Sequence, residues 1–143
     1  MKPDDMPENF WPQSDNGSIT DNSALRQWSS KYFQALGTIK DLRAPLQLHN
    51  MLSAAGLVNI ENRMIPLPFC GWPNNAREKN IGEENKVNVQ QILSTFALYP
   101  FTQRLGMSIE EFENLINRAR VEATNPSLKC YFPLYVCIAK KPV

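Results

Sequence analysis

The sequence is poor in the residues that build metal, redox and phosphate sites. Its 143 residues hold one histidine and three cysteines, Cys70, Cys130 and Cys137, with no C-x-x-C pair among them. That is too few soft ligands for a structural zinc site. The odd number of thiols points to free cysteines in a reducing compartment. Cys137, inside an apolar run, reads as a packed side chain. The six glycines, Gly17, Gly37, Gly56, Gly71, Gly82 and Gly106, are scattered and none makes a G-x-G. Neither sign of charge dominates, with 15 Lys plus Arg against 14 Asp plus Glu. A balance of that kind excludes a broad nucleic-acid or acidic-membrane footprint, which needs clustered positive charge. No apolar run approaches the roughly 20 residues of a membrane helix. The opening residues MKPDDMPENFWPQ carry acids and prolines where a signal peptide has its apolar core. The expectation is a cytoplasmic protein with no metal, no nucleic-acid partner and no membrane partner.

What is present is an ordinary globular composition, 43% hydrophobic, enough to build a core. Residues 1–20 read as an irregular arm. Pro3, Pro7 and Pro12 forbid a helix there, Ser14 to Gly17 is turn chemistry, and Phe10 and Trp11 are its large apolar groups, suited to docking on a surface. From residue 21 to 143 the pattern is that of a domain. Asp21, Asn22 or Ser23 can cap a helix with Leu25, Trp28, Tyr32 and Leu36 on one stripe and Gly37 at its end. Pro45 suits the first turn of a second helix, with Leu48, Met51, Leu52 and Ala55 as its apolar face and Gly56 as its stop. Val58, Ile60 and Met64 alternate with polar residues, as in a half-buried strand.

Residues 66–85 read as a loop. Helix resumes near Val87 and runs through Ile92, Leu93 and Phe96 to Pro100, which should kink or end it. Ser108 and Glu111 form a capping box before a helix with Phe112, Leu115, Ile116 and Ala119 inward, stopped by Asn125-Pro126. Tyr131 to Ala139 is apolar on both faces, the pattern of a central strand. The fold class expected is α/β, with about four helices and a small sheet. Two strands alone are marginal in water. The sheet must therefore be completed by the N-terminal arm, a second copy of the chain or a different protein. Dimerisation is favoured, because closed symmetric dimers are the commonest assembly.

The order and spacing of several segments resemble those of class I SAM-dependent methyltransferases of fungal secondary-metabolite clusters. Ser14 to Ser18 resembles the segment after the fifth strand of that family, and Ala24 to Ser29 the helix that follows. Ala55-Gly56-Leu57-Val58-Asn59-Ile60 is similar to the entry into its sixth strand. Gly71-Trp72-Pro73, with Arg77 to Gly82 after it, is similar to the next loop. Pro100 to Ser108 resembles a segment that caps the substrate. Tyr131 to Pro142 resembles the seventh strand. The resemblance covers roughly residues 14–142 and implies a truncated methyltransferase-like domain corresponding to the C-terminal, substrate-side half of the family. The family's glycine-rich turn and the acidic residue that holds the ribose are missing. The resemblance therefore implies no SAM binding by this chain alone and no other cofactor.

His49 is the first choice for a general acid or base, since histidine is the side chain that titrates near neutrality unaided. Arg104 and Arg120 are candidate donors to a substrate carbonyl or enolate. Glu122 lies near Arg120 in sequence, at the end of the last helix and before the terminal strand, where related enzymes line the pocket. Trp28, Trp72, Phe96, Phe101 and Tyr131 are candidate walls of an apolar substrate pocket, with core packing as the competing role. Cys70 lacks a histidine nearby in sequence and is a poor candidate nucleophile.

Three functions compete. One is a SAM-independent methyltransferase-like enzyme of fungal natural-product biosynthesis, in which a preshaped pocket orients a small hydrophobic substrate for cyclisation, pericyclic reaction, dehydration or isomerisation. Another is a non-catalytic pseudo-methyltransferase that forms a heterodimer with a complete methyltransferase. The third is a fragment of a SAM-dependent methyltransferase.

Overall fold

The computed structural model describes residues 12–42 and 44–143. Phe10 and Trp11, expected to dock on a surface, lie outside the described residues. The described residues begin with strand β1 (Gln13–Ser14) and helix α1 (Ala24–Leu36), then a 3-10 turn (Ala44–Gln47), helix α2 (Leu48–Ala54) and strand β2 (Val58–Pro68). Helix α3 (Ala76–Thr95), a π turn (Pro100–Arg104), helix α4 (Ile109–Ala123), a second 3-10 turn (Pro126–Leu128) and strand β3 (Cys130–Lys140) complete it.

α1, α3 and α4 pack around one core with the base of the β2–β3 hairpin. Leu25 and Trp28 come from α1, Val89 and Leu93 from α3, and Phe112, Leu115, Ile116 and Ala119 from α4. Ala97 and Phe101 join them from the segment after α3, and Phe69, Cys130 and Phe132 from the hairpin base. Periodicity located α1 and α4 well, because each has a wide apolar stripe facing this core. Ser108 caps α4 by accepting the Glu111 N–H at 3.1 Å.

α3 is the main departure. Its first half falls in the stretch read as a loop. Asn75 caps it, its Oδ1 accepting from the N–H groups of Arg77 at 2.9 Å and Glu78 at 3.2 Å. Only Gly82, Val89 and Leu93 of α3 are buried, so its first turns carry no apolar periodicity to reveal them. After α3 the chain does not stop at Pro100. It continues through the π turn and places Phe101 in the core. The expected apolar face of α2 is not inside either: α2 has no buried residue and Met51 is 54% exposed.

The sheet has three strands in the order β1-β3-β2, both pairings antiparallel. β2 and β3, separated in sequence by α3 and α4, pair as a long antiparallel ribbon with the shape of a hairpin, Pro68 opposite Tyr131 at one end and Val58 opposite Lys140 at the other. β2 carries Pro66 and Pro68, which argued for a loop. The Phe69 N–H donates to Cys130 O at 3.0 Å. Antiparallel alternation then turns the nitrogens of residues 68, 66 and 133 away from the β2–β3 ladder, so proline costs it no hydrogen bond. A bulge between Val58 and Glu61 puts Asn59 at φ +53°.

β3 is central, as its apolar run suggested, but it is not buried along its length. Cys130 and Phe132 are inside, whereas Leu134 is 43% and Ile138 55% exposed. The third strand comes from the arm: Gln13 pairs with Tyr131 and Ser14 with Cys130. The arm is fastened further by the Asp15 N–H to Lys129 O at 3.0 Å and Asn16 Nδ2 to Ser127 O at 3.0 Å. Among the described residues no helix is long and apolar enough to cross a membrane.

Candidate functional site

Several residues singled out in the sequence serve as braces. Arg120, on α4, donates from Nε to Gln90 O at 3.0 Å and from Nη2 to Ser94 Oγ at 3.1 Å, tying α4 to α3. Arg104 donates from Nε to Ala35 O at 2.7 Å and so satisfies a carbonyl in the last turn of α1. Glu122 accepts the N–H groups of Ala24 and Leu25, both at 2.9 Å. It therefore caps α1, a task the sequence suggested for Asp21, Asn22 or Ser23. Ser23 adopts the N-cap backbone without a side-chain cap bond, and its Oγ accepts from the Thr20 N–H instead.

The aromatics divide between core and surface. Trp28 and Phe101 are wholly buried. Trp28 stacks on Tyr32 with ring centroids 5.0 Å apart and donates from Nε1 to Leu93 O at 2.9 Å. Phe101 meets Trp28 at 6.0 Å and Phe112 at 6.3 Å. Trp72 is half-buried and donates to Cys130 O at 2.8 Å, pinning the loop after β2 onto β3. Phe96 is exposed at the end of α3, and Tyr131 is half-buried beside β1. Burial, with a smaller contribution from the Asp15 charge, raises the Tyr131 phenol above its ordinary pKa.

Two surface concavities are described. A groove of about 250 Å³ between α2 and the hairpin is lined by Leu46, Leu48, His49, Arg63, Met64 and Tyr135. A cleft of about 560 Å³ between α1 and α4 is lined by Gln27, Lys31, Met107, Leu115 and Arg118, among others. Of the candidate site residues only His49 lies in either one. Neither concavity brings His49, Arg104 and Arg120 together with Trp28, Trp72, Phe96, Phe101, Glu122 and Tyr131.

Sequence reasoning missed a buried pair of thiols. Cys70 and Cys130, 60 residues apart in sequence, are both buried and close enough for charge on one to affect the other. The Cys130 thiol is pushed up to about 12, chiefly by burial, with Cys70 and Glu122 adding to it. Cys70 is raised as well, again mainly by burial, which the nearby Lys86 opposes. Both thiols are thus kept protonated and unreactive. Among the described residues no three His, Cys, Asp or Glu side chains are grouped to hold a metal ion.

The remaining feature is the outer half of the hairpin. Directly opposed strand residues share a face, so Leu67 with Phe132, Ile65 with Leu134 and Glu61 with Ile138 lie on one side. That row leaves the core at Phe132, 8% exposed, and continues outward through Ile65 at 42%, Leu134 at 43% and Ile138 at 55%. Arg63 and Val136 lie on the same side, Val136 half-buried beside the α2 groove, so the exposed apolar part of the row among the described residues is Ile65, Leu134 and Ile138.

Curated fungal proteins match the chain along most of its length. It is 24% identical over 133 residues to the secondary metabolism regulator laeA of Gibberella zeae, a match covering 92% of this chain and 42% of that protein. It is 25% identical over 130 residues to the probable methyltransferase tdiE of Emericella nidulans, covering 90% and 41%. Identity to the protein-methionine methyltransferase laeA of Chaetomium globosum is 26% over 128 residues, covering 87% and 40%. These matches bear out the resemblance to fungal secondary-metabolism methyltransferases. The chain spans about two fifths of the length of these relatives. No family model and no solved structure matches it.

Proposed function

We propose that this chain is a methyltransferase-like substrate-side module of fungal secondary metabolism that works in association with a second polypeptide, a methyltransferase-like unit carrying the glycine-rich cofactor turn. The observation that carries this reading is the apolar row Ile65, Leu134 and Ile138, about half exposed among the described residues and continuous with the core at Phe132. An exposed apolar surface continuous with a core is what a missing neighbour leaves behind. In the relatives more than half of the length lies beyond the matched part, so there the matched region works beside a further one.

A self-contained enzyme acting on a hydrophobic intermediate by cyclisation, pericyclic reaction, dehydration or isomerisation, and completed as a homodimer, has less support. Its candidate groups Arg104, Arg120 and Glu122 already hydrogen-bond to backbone within the fold. His49 lies on the surface of α2, and its groove is small.

A photo-crosslinking residue placed at Leu134 or Ile138, with products identified by mass spectrometry in the source cells, tests the proposal. The expected product joins the chain to a protein that contains the glycine-rich cofactor turn. Cross-links only to a second copy would overturn it in favour of self-association. Tight SAM binding by the isolated chain would overturn it too.

A further inference from the structure

We propose that Asn16 is a site of spontaneous deamidation held shut by the docked arm, and that its conversion unfastens strand β1. Asn16-Gly17 is the only Asn-Gly pair of the chain. Glycine has no Cβ to hinder approach to its backbone nitrogen, so in this dipeptide that nitrogen reaches the preceding side-chain amide most readily. Both residues are exposed, which gives water access. The reaction needs no enzyme. The Gly17 nitrogen bonds to Asn16 Cγ, and the Cγ–Nδ2 bond breaks. Ammonia leaves with Nδ2 and with the proton of the Gly17 nitrogen. Water then adds at one of the two carbonyls of the resulting succinimide and opens the ring to aspartate or to isoaspartate.

The fold controls the first step through the side chain. Asn16 Nδ2 donates to Ser127 O at 3.0 Å. Its Oδ1 accepts from Ser14 Oγ at 3.1 Å, from Ser18 Oγ at 2.6 Å and from the Ser18 N–H at 3.2 Å. The amide is held at both ends, and the Gly17 N–H is turned to Ser14 O at 3.4 Å. Swinging the amide onto the Gly17 nitrogen breaks these bonds. The bond to Ser127 opens when the arm leaves residues 127–131, where Asp15 and β1 are also fastened.

The product does not refasten. A carboxylate at position 16 has acceptors alone, so it faces the Ser127 carbonyl with like partial charge where the amide donated. Isoaspartate also adds a methylene to the backbone just after the paired Ser14. Conversion thus turns a reversible opening of the arm into a lasting release. It is independent of any polypeptide that covers the hairpin, because none of these bonds involves the row Ile65, Leu134 and Ile138.

Peptide mapping by mass spectrometry, with isoaspartate resolved, follows Asn16 in the full chain incubated at mildly alkaline pH. Conversion is expected to be about tenfold or more slower in the folded chain than in the same chain unfolded in guanidinium chloride. Ser14→Ala/Ser18→Ala, measured against its own unfolded rate, should lose about threefold or more of that protection, because two donors to Oδ1 are gone. Hydrogen exchange of Asn16→Asp reads the consequence. The Asp15 amide, which donates to Lys129 O, should exchange about tenfold or more faster than in the parent while α4 exchanges as before. Equal conversion in folded and unfolded chains, no conversion in either, full protection in the double variant, or unaltered Asp15 exchange in Asn16→Asp would overturn the assignment.

Discussion

Glu122 Oε1 accepts the backbone N–H of Leu25 at 2.9 Å, across 97 residues of sequence. Its other oxygen takes the Ala24 N–H at the same distance. The last turn of α4 thus supplies the cap for the first turn of α1. A negative charge at a helix N-terminus satisfies orphan N–H groups and complements the dipole. Glu122→Ala should cost about 0.5–2 kcal/mol, the range of a lost N-cap. Urea denaturation measures it. Removing the Oγ of Ser23 should cost less, since it caps nothing on α1.

Phe101→Ala separates core from pocket. A wholly buried phenylalanine truncated to alanine loses about 3–5 kcal/mol of stability. A pocket wall would leave stability nearly unchanged and alter ligand binding. Thermal unfolding of the variant is expected to show the large loss.

Gly82 is a packing requirement. A Cβ there would lie 1.9 Å from the Cys70 carbonyl oxygen and 3.1 Å from the Pro68 side chain. Gly82 lets α3 approach the end of β2, and Asn85 secures the contact by donating to Pro68 O at 2.9 Å. Gly82→Ala should destabilise by about 1–3 kcal/mol or more, as overpacking does. Gly56, at φ +87° with open space around it, should lose only about 1 kcal/mol on the same change. Chemical denaturation of the two variants gives the comparison.

The buried thiols set an alkaline limit. Cys130 is raised from 9.0 to about 12 and Cys70 is raised too. A thiol raised in the folded state binds its proton more tightly there than in the unfolded chain. Its contribution is fully present below the unfolded value near 9 and is lost as pH rises towards 12. Stability should therefore fall above about pH 9 and fall less in Cys130→Ala measured against its own neutral value. Iodoacetamide at pH 8 should label the half-buried Cys137 before Cys70 and Cys130, with peptide mapping as the check.

Leu134→Lys and Ile138→Lys separate surface from core on the hairpin. Both positions are exposed, so each change should move stability by about 0.5 kcal/mol or less. If a second polypeptide covers this row, both variants lose cross-linking to it while their unfolding curves match the parent. Full cross-linking in both would count against the row as the contact.

Much of the architecture was legible from local pattern. α1 and α4 have wide apolar stripes, and Ser108 with Glu111 marked the start of α4 correctly. The first half of α3 was not legible, because its turns have no buried side chain to betray a helical period apart from Gly82, and glycine reads as a breaker. Pro66 and Pro68 hid the end of β2, since a proline's tolerance depends on which way its nitrogen faces in a ladder. The site residues were legible as chemically capable groups and no further.

By itself the sequence determined the helical and strand periods, the near-zero net charge, the absence of a glycine-rich cofactor turn and the resemblance to fungal methyltransferases. These are properties of composition, spacing and order along the chain. Tertiary structure alone decided that Glu122 caps α1, that Arg120 joins α4 to α3, that Cys70 and Cys130 are buried near enough for charge on one to affect the other, and that the hairpin's apolar row leaves the core and is exposed among the described residues. Each of those depends on which residues distant in sequence share a few ångströms of space. A carboxylate or guanidinium does the same chemistry wherever it stands, so its partner is set by the fold.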